Sequence, residues 1–240
     1  MTSPRTFILV HGAWHGAWCW QKLTPHLEAG GVRVIAPDMP SMGADITPPN
    51  VITLDYWARF IADIVEREPE PVALVAHSRG GIVASRVAEL LPDRIRKIVY
   101  VAAYLLPAQG TVAVEARRDT ESLIPPNMVP ASSGVTCVVR SSVVREAFYG
   151  CCPDEDAEFA QSRLCPEPLK PLVTPLEITD ARYGRVPRAC VETTLDRVIS
   201  LAAQRRMRAA LPCDPVFTLE TDHSPFLSQP EALARILISI

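Results

Sequence analysis

The chain has 240 residues, of which 48% are hydrophobic and 21% charged, so it is long enough for one large domain with a substantial core. Its formal net charge of -3 gives no electrostatic attraction to nucleic acid or to an anionic membrane surface. No apolar run is long enough to cross a bilayer, and Met1 to Thr6 show no leader pattern. Seven cysteines, without a C-x-x-C pair or histidines at zinc spacing, favour reduced thiols, a cytoplasmic location and no bound metal.

Short runs rich in Val, Ile and Leu alternate with segments of helical periodicity along most of the chain. This alternation predicts an α/β fold with a mostly parallel sheet and helices on both faces. The predicted strands are Phe7–Val10, Val32–Ala36, Val72–Ala76, Ile98–Ala102, Val186–Val191 and Val216–Leu219. The predicted helices are Trp18–Ala29, Leu54–Glu66, Ile82–Leu91, Leu195–Ala210 and Glu231–Ile240.

The alternation breaks between residues 107 and 184, where prolines are frequent and no long apolar strand occurs. The segment leaves after one predicted strand and returns before another, so we expect it over the carboxyl edge of the sheet, where open α/β sheets have their sites. We predict a core of residues 1–106 and 185–240 and an inserted helical lid of residues 107–184; the alternative is a surface excursion without a role. The helices predicted in it are Val112–Arg118, Val143–Tyr149 and Asp154–Arg163.

A candidate nucleophile, Ser78, lies between a predicted strand and a predicted helix in the sequence Ala-His-Ser-Arg-Gly-Gly. A sharp strand-to-helix turn requires small residues two positions before and after the serine, because the two backbones nearly touch there. Ala76 and Gly80 meet this requirement, so the turn is a one-substitution variant of the G-x-S-x-G pattern. The alternative is a serine in an ordinary loop.

A serine nucleophile needs a base to take its proton and a carboxylate to orient that base. On this kind of turn, the acid follows a late strand and the histidine follows the last strand. His223 follows the last predicted strand and is the predicted base. Asp196, in the loop after Val186–Val191, is the predicted acid, and Glu192 at the end of that strand is the alternative.

Two backbone N–H groups are needed to stabilise the oxyanion of an acyl-transfer intermediate. We expect them from Arg79, directly after the nucleophile, and from Ala13 in the loop after the first strand. Gly12 and Trp14 of the same loop are predicted to line the substrate pocket. A cation in the first turn of a helix opposes the helix dipole, so Arg79 should have a partner, either a carboxylate of the lid or core or a polar group of the substrate.

Three stretches of the chain resemble plant methylesterases and hydroxynitrile lyases, a branch of the α/β-hydrolases, and related bacterial esterases. The resemblance covers both ends of the chain and extends weakly through the lid. It implies an α/β-hydrolase fold without a cofactor. The stretches are Val10-His11-Gly12-Ala13-Trp14-His15-Gly16-Ala17-Trp18-Cys19-Trp20 followed by Lys22-Leu23 and Pro25, Thr194-Leu195-Asp196, and Asp222-His223 with Leu227 and Pro230.

The lyases of that branch have Thr directly after the first loop histidine and Lys directly after the catalytic histidine, whereas this chain has Gly12 and Ser224. Without the lysine no cation stabilises departing cyanide, so the resemblance implies a serine hydrolase that cleaves an ester of a small or aromatic acid through an acyl-enzyme. The alternatives are a carbon-carbon lyase of the hydroxynitrile type and a small-molecule receptor on the same scaffold. The expected partner is a small ester substrate, and the sequence leaves a homodimer open.

Overall fold

A six-stranded parallel sheet forms the centre of the structure, a computed structural model that describes residues 5–131 and 134–240. The strands are β1 (Arg5–Val10), β2 (Val32–Ile35), β3 (Val72–His77), β4 (Ile95–Val101), β5 (Met128–Pro130), β6 (Thr136–Val139), β7 (Glu167–Pro168), β8 (Arg188–Thr193) and β9 (Val216–Leu219). The strand order of the central sheet is β2-β1-β3-β4-β8-β9, and every neighbouring pair is parallel. The predicted parallel sheet is confirmed.

Helices connect these strands and surround the sheet. They are α1 (Thr24–Ala29), α2 (Leu54–Arg67), α3 (Gly80–Leu90), α4 (Val112–Arg118), α5 (Ser141–Phe148), α6 (Asp154–Arg163), α7 (Leu169–Val173), α8 (Leu201–Ala210), α9 (Pro225–Ser228) and α10 (Pro230–Ser239). From β1 to β2 the chain moves toward one edge of the sheet, and from β3 onward it moves toward the other. Right-handed crossovers therefore put α1 on one face and α3 and α8 on the opposite face.

The predicted helix Trp18–Ala29 is wrong as a continuous element. The chain forms a 3-10 helix over Ala17–Trp20 and begins α1 only at Thr24. Pro25 explains the interruption, because proline has no N–H for an internal helical hydrogen bond and is tolerated only in a first turn. The helical periodicity of this stretch therefore comes from two short elements.

The predicted helix Leu195–Ala210 starts six residues too early, since α8 begins at Leu201. The carboxylate of Asp196 accepts the backbone N–H groups of Val198 and Ile199, which stabilises a turn in place of the first helical turn. Ser200 then caps α8 through a hydrogen bond from the N–H of Ala203 to its hydroxyl. Local side-chain acceptors of this kind compete with helical hydrogen bonds.

The inserted segment, residues 107–184, contains both helices and a small antiparallel sheet. Two predicted helices have the observed bounds of α4 and α6, and the third is observed at Ser141–Phe148. The sheet β5-β6-β7 was not predicted, because its strands span two to four residues and carry no readable alternation. The insertion is therefore not wholly helical.

No helix in the described ranges is long and apolar enough to cross a membrane. The expectation that Met1 to Thr6 contain no leader falls largely on residues 1–4, which lie outside the described residues.

Replacing Gly80 with Ala should lower the free energy of unfolding. A Cβ at this position would lie 2.5 Å from the carbonyl oxygen of Val10 in β1, a contact that the backbones cannot relieve cheaply. We expect a loss of about 1–3 kcal/mol, measured by urea unfolding. Gly150→Ala is the matched control, because its Cβ would meet a neighbour only at 3.4 Å. Equal stability of the two variants would contradict a tight contact at Gly80.

Candidate active site

Ser78 occupies the sharp turn between β3 and α3 in a left-handed backbone conformation. Its φ is 53°, which is unfavourable for a residue with a side chain and requires support from the surroundings. The N–H of Ser78 donates to the carbonyl of Val101 at 3.3 Å, and the carbonyl of Ser78 accepts from Tyr104 at 3.0 Å. These hydrogen bonds to the end of β4 and the residues after it fix the conformation of the turn.

The loop after β1 lies directly against this turn. A Cβ on Gly12 would come within 2.8 Å of both the Ser78 Cβ and the His77 Nδ1. Only glycine allows so close an approach at this position. The loop that contains Ala13 and the turn that contains Ser78 are therefore neighbours, as the sequence predicts.

Asp196 and His223 form a buried hydrogen-bonded pair. Asp196 Oδ2 lies 2.8 Å from His223 Nδ1, and both side chains are fully buried. Asp196 Oδ1 accepts two backbone N–H groups, and Oδ2 also accepts from the hydroxyl of Thr193 and the amide of Gln204. These donors leave the carboxylate one orientation toward the imidazole.

Glu192, the alternative acid, points to a different set of partners. Its carboxylate pairs with Arg205 at 2.7 Å and with Arg208 at 3.5 Å, and it accepts the hydroxyl of Thr218 at 3.0 Å. Burial favours a higher pKa for Glu192, but the hydrogen bonds from Arg205 and Thr218 outweigh burial and lower it. The carboxylate that contacts His223 is that of Asp196.

The ring of His223 lies next to the residue that precedes Ser78. His77 Nε2–H donates to the carbonyl of His223 at 2.8 Å, and the two ring centroids are 4.5 Å apart. His223 Nε2 is buried and has no hydrogen-bond partner among the described residues. Because the carboxylate of Asp196 accepts the Nδ1–H, a neutral tautomer of this ring would have its lone pair on Nε2.

Three further histidines surround the site in the neutral form. Burial, with a smaller effect of the Arg79 cation, lowers the pKa of His11 to about 3, and burial likewise lowers the pKa of His15 to about 3. Burial also lowers the pKa of His77 well below its ordinary value. His15 Nδ1–H donates to the carbonyl of Ala13, and its Nε2 accepts from the hydroxyl of Tyr149. These rings stabilise the loops by defined hydrogen bonds, without adding charge.

A cavity of about 350 Å³ opens at Ser78 and is lined mainly by apolar side chains. Ala13 and Arg79 line it together with Ser78, and no hydrogen bond to another described residue uses the backbone N–H of either. Trp14 also lines it, as predicted, whereas Gly12 lies against the turn and is not part of the lining. No cluster of metal-ligating side chains is found in the ranges 5–131 and 134–240.

The side chain of Arg79 pairs with a carboxylate of the inserted segment. Its Nε lies 2.9 Å from Glu167 Oε1, and both side chains are almost completely buried. Burial raises the pKa of Glu167 above its ordinary value, although the Arg79 cation acts in the opposite direction. Of the two partners predicted for Arg79, the contact observed is the carboxylate.

Sequence reasoning missed three residues of the site. Glu167 lies in a proline-rich stretch without periodicity. The only signal for it was that the cation of Arg79 needs a partner. Tyr104 lines the cavity, and its hydroxyl has no hydrogen-bond partner among the described residues. Gln204 contacts Asp196 from α8 at a spacing that no motif encodes.

The chain matches the alpha/beta hydrolase family over residues 7–236. Methylesterase 2 of Arabidopsis thaliana is 30% identical over 249 residues, which are 98% of this chain and 95% of that protein. A chloroplastic relative from the same plant is 31% identical over 98% of this chain, and the chain spans 63% of its length. Among solved structures, a pyrethroid hydrolase superposes with a TM-score of 0.87 at 28% identity, over 98% of this chain and 96% of that one.

The chain belongs to the alpha/beta hydrolase family. Within this family it is similar to the plant methylesterases, which confirms the resemblance of its opening and closing stretches.

Replacing His15 with Gln should make stability less sensitive to acid. His15 has a pKa of about 3 when folded, against an ordinary value of 6.5, so between these two pH values the unfolded chain binds more protons. The free energy of unfolding of the wild type therefore falls as the pH falls through this range. We expect the wild type to lose about 1.4 kcal/mol more per pH unit than the variant, measured by urea unfolding at pH 6 and pH 5. His26→Gln at an exposed position is the matched control, and identical pH slopes for wild type and His15→Gln would contradict a neutral buried ring.

Proposed function

We propose that the protein is a serine hydrolase that cleaves carboxylic esters through an acyl-enzyme. The observation that carries this proposal is the buried Asp196–His223 pair at 2.8 Å, with an unpaired acceptor nitrogen, beside the strained turn that contains Ser78. Ser78, His223 and Asp196 then act as nucleophile, base and orienting acid. The methylesterase and pyrethroid hydrolase relatives support ester cleavage.

The proposed reaction has two halves. Ser78 Oγ attacks the ester carbonyl while His223 Nε2 takes the hydroxyl proton, and the same proton then passes to the leaving alcohol as the C–O bond breaks. A water molecule next gives a proton to His223 Nε2 and attacks the carbonyl carbon of the acyl-enzyme. His223 then gives that proton to Ser78 Oγ as the bond between Oγ and the acyl carbon breaks, which releases the acid. Asp196 stabilises the imidazolium in both halves, because its carboxylate is buried and faces Nδ1.

The proposed oxyanion hole consists of the backbone N–H groups of Ala13 and Arg79. Both residues line the cavity beside Ser78, and neither N–H donates to another described residue. Donors of this kind stabilise the transition state because they are oriented before charge develops on the carbonyl oxygen.

The proposed substrate is an ester with a small or aromatic apolar acid group. The cavity is lined mostly by apolar side chains of α4, α7, β5 and the residues between α4 and β5, such as Val112, Ile124, Met128 and Leu172. The inserted segment would then act as a lid over the site. The hydroxyl of Tyr104 has no partner within the described residues and offers a hydrogen bond to an oxygen of the substrate.

Carbon-carbon lyase activity has less support, since Ser224 follows His223 where the hydroxynitrile lyases have lysine. Release of cyanide from mandelonitrile, compared with cleavage of a nitrophenyl ester by the same preparation, separates the two activities. Stoichiometric labelling of Ser78 by a fluorophosphonate together with multiple turnovers would exclude a receptor. A cytoplasmic location remains a prediction, and a homodimer remains open.

Ser78→Ala should lower kcat for a nitrophenyl ester by about a millionfold, because it removes the nucleophile of the covalent intermediate. The measurement is initial rate under saturating substrate, with folding checked by circular dichroism. Turnover by the purified variant near the wild-type rate would exclude the mechanism.

Asp196→Asn should lower kcat by about 10⁴-fold, because an amide no longer favours the tautomer that leaves Nε2 unprotonated. Glu192→Gln is the matched control, since that carboxylate contacts Arg205 and Arg208 and not His223. We expect its kcat to stay within a few-fold of the wild type. The reverse order of the two effects would assign the acid to Glu192.

A further inference from the structure

The guanidinium of Arg79 makes three buried contacts. Its Nη2 donates to the carbonyl of Gly12 at 3.0 Å, and its Nε faces Glu167 at 2.9 Å. Its carbon Cζ lies 4.1 Å from the centre of the Trp57 ring, within the range of a cation-π contact. The guanidinium therefore has one fixed position between the loop after β1 and the inserted segment.

The carbonyl that accepts from Arg79 belongs to the same peptide group as the N–H of Ala13. A trans peptide is planar, so its C=O and N–H point in opposite directions. The Gly12 oxygen accepts from the guanidinium at 3.0 Å and from His11 Nδ1–H at 2.9 Å, and these two donors together fix the direction of the Ala13 N–H. A cation on the oxygen also polarises the peptide and makes its N–H a stronger donor, as in chains of cooperative hydrogen bonds.

Glu167 stabilises the next peptide of the same loop. Its Oε2 accepts the backbone N–H of Trp14 at 3.1 Å, while its other oxygen faces Arg79. Trp14 has a φ of 61°, an unfavourable conformation that this hydrogen bond supports. The Arg79–Glu167 ion pair thus contacts two consecutive peptides, through the carbonyl of Gly12 and the N–H of Trp14. The N–H of Ala13 lies between these two groups along the chain.

We propose that the Arg79–Glu167 pair positions the Gly12–Ala13 peptide as an oxyanion donor. This inference rests on the proposed esterase function. Arg79 would supply one donor through its own backbone N–H and orient the other through its side chain. Glu167 is a positioning residue, since it acts through Arg79 and Trp14 and touches no reacting atom.

If the Arg79–Glu167 pair only stabilised the fold, replacing both side chains by apolar ones would leave kcat unchanged. A buried ion pair can often be replaced by apolar side chains without loss of stability, whereas removal of one partner leaves a buried unpaired charge. The double variant Arg79→Met/Glu167→Leu therefore keeps the interior uncharged and removes both contacts to the loop. Arg86→Met is the matched control, because it removes an ion-paired arginine of α3 that does not line the cavity.

We expect the double variant to have a kcat about 10- to 100-fold lower, with KM changed by less than about twofold, because only transition-state stabilisation is lost. A boronic acid inhibitor, which forms a tetrahedral adduct on a serine, should bind more weakly by a similar factor, whereas the carboxylic acid product should bind as before. Arg86→Met should match the wild type in all three measurements. A folded double variant with wild-type kcat and boronic acid affinity would overturn the inference.

Fluorophosphonate treatment of the wild type distinguishes failure of the positioning role from failure of the proposed esterase function. If fluorophosphonate neither labels Ser78 nor stops ester turnover, the esterase proposal itself fails. If the double variant does not fold, wild-type protein labelled with ¹⁵N in arginine and alanine gives the answer by NMR. Boronic acid binding should shift the Ala13 amide and the Arg79 guanidinium signals together, and an unchanged guanidinium signal would overturn the positioning role.

Discussion

The site depends on the close approach of three backbone segments at the carboxyl edge of the sheet. Gly80 at the start of α3 packs on the carbonyl of Val10, and Gly12 packs on Ser78. Neither contact leaves room for a Cβ, and Ser78 itself has a left-handed conformation with φ of 53°. The hydrogen bonds to Val101 and Tyr104 stabilise this conformation, so the geometry of Ser78 depends on packing as much as on its own turn.

Burial gives the site its electrostatic character. The rings of His11, His15 and His77 are neutral because burial lowers their pKa values, and each makes hydrogen bonds that fix a tautomer or a loop. Against this neutral background the carboxylate of Asp196 faces His223, and its other described hydrogen-bond donors are uncharged. A low-dielectric environment strengthens an electrostatic interaction between two such side chains.

The inserted segment contributes to the site from two directions. Glu167 contacts Arg79 and the N–H of Trp14 on the side of the first loop. On the other side, the backbone N–H of Cys151 donates to Asp222, whose carboxylate also accepts the N–H of Ser224. The loop that contains His223 is thus anchored to the insertion as well as to the core. An insertion with these contacts is part of the framework of the site, beyond any role in covering it.

Local patterns in the sequence were sufficient for the parallel sheet, the Ser78 turn and the position of His223 after the last strand, because strand runs, small turn residues and loop positions are written in neighbouring residues. Only the tertiary structure shows that the carboxylate in contact with His223 is that of Asp196, whereas Glu192 in β8 contacts Arg205. It also paired Arg79 with Glu167, 88 residues apart in the chain, in a stretch whose short strands have no periodicity. Such contacts depend on how distant segments pack, and no local pattern of residue types encodes that geometry.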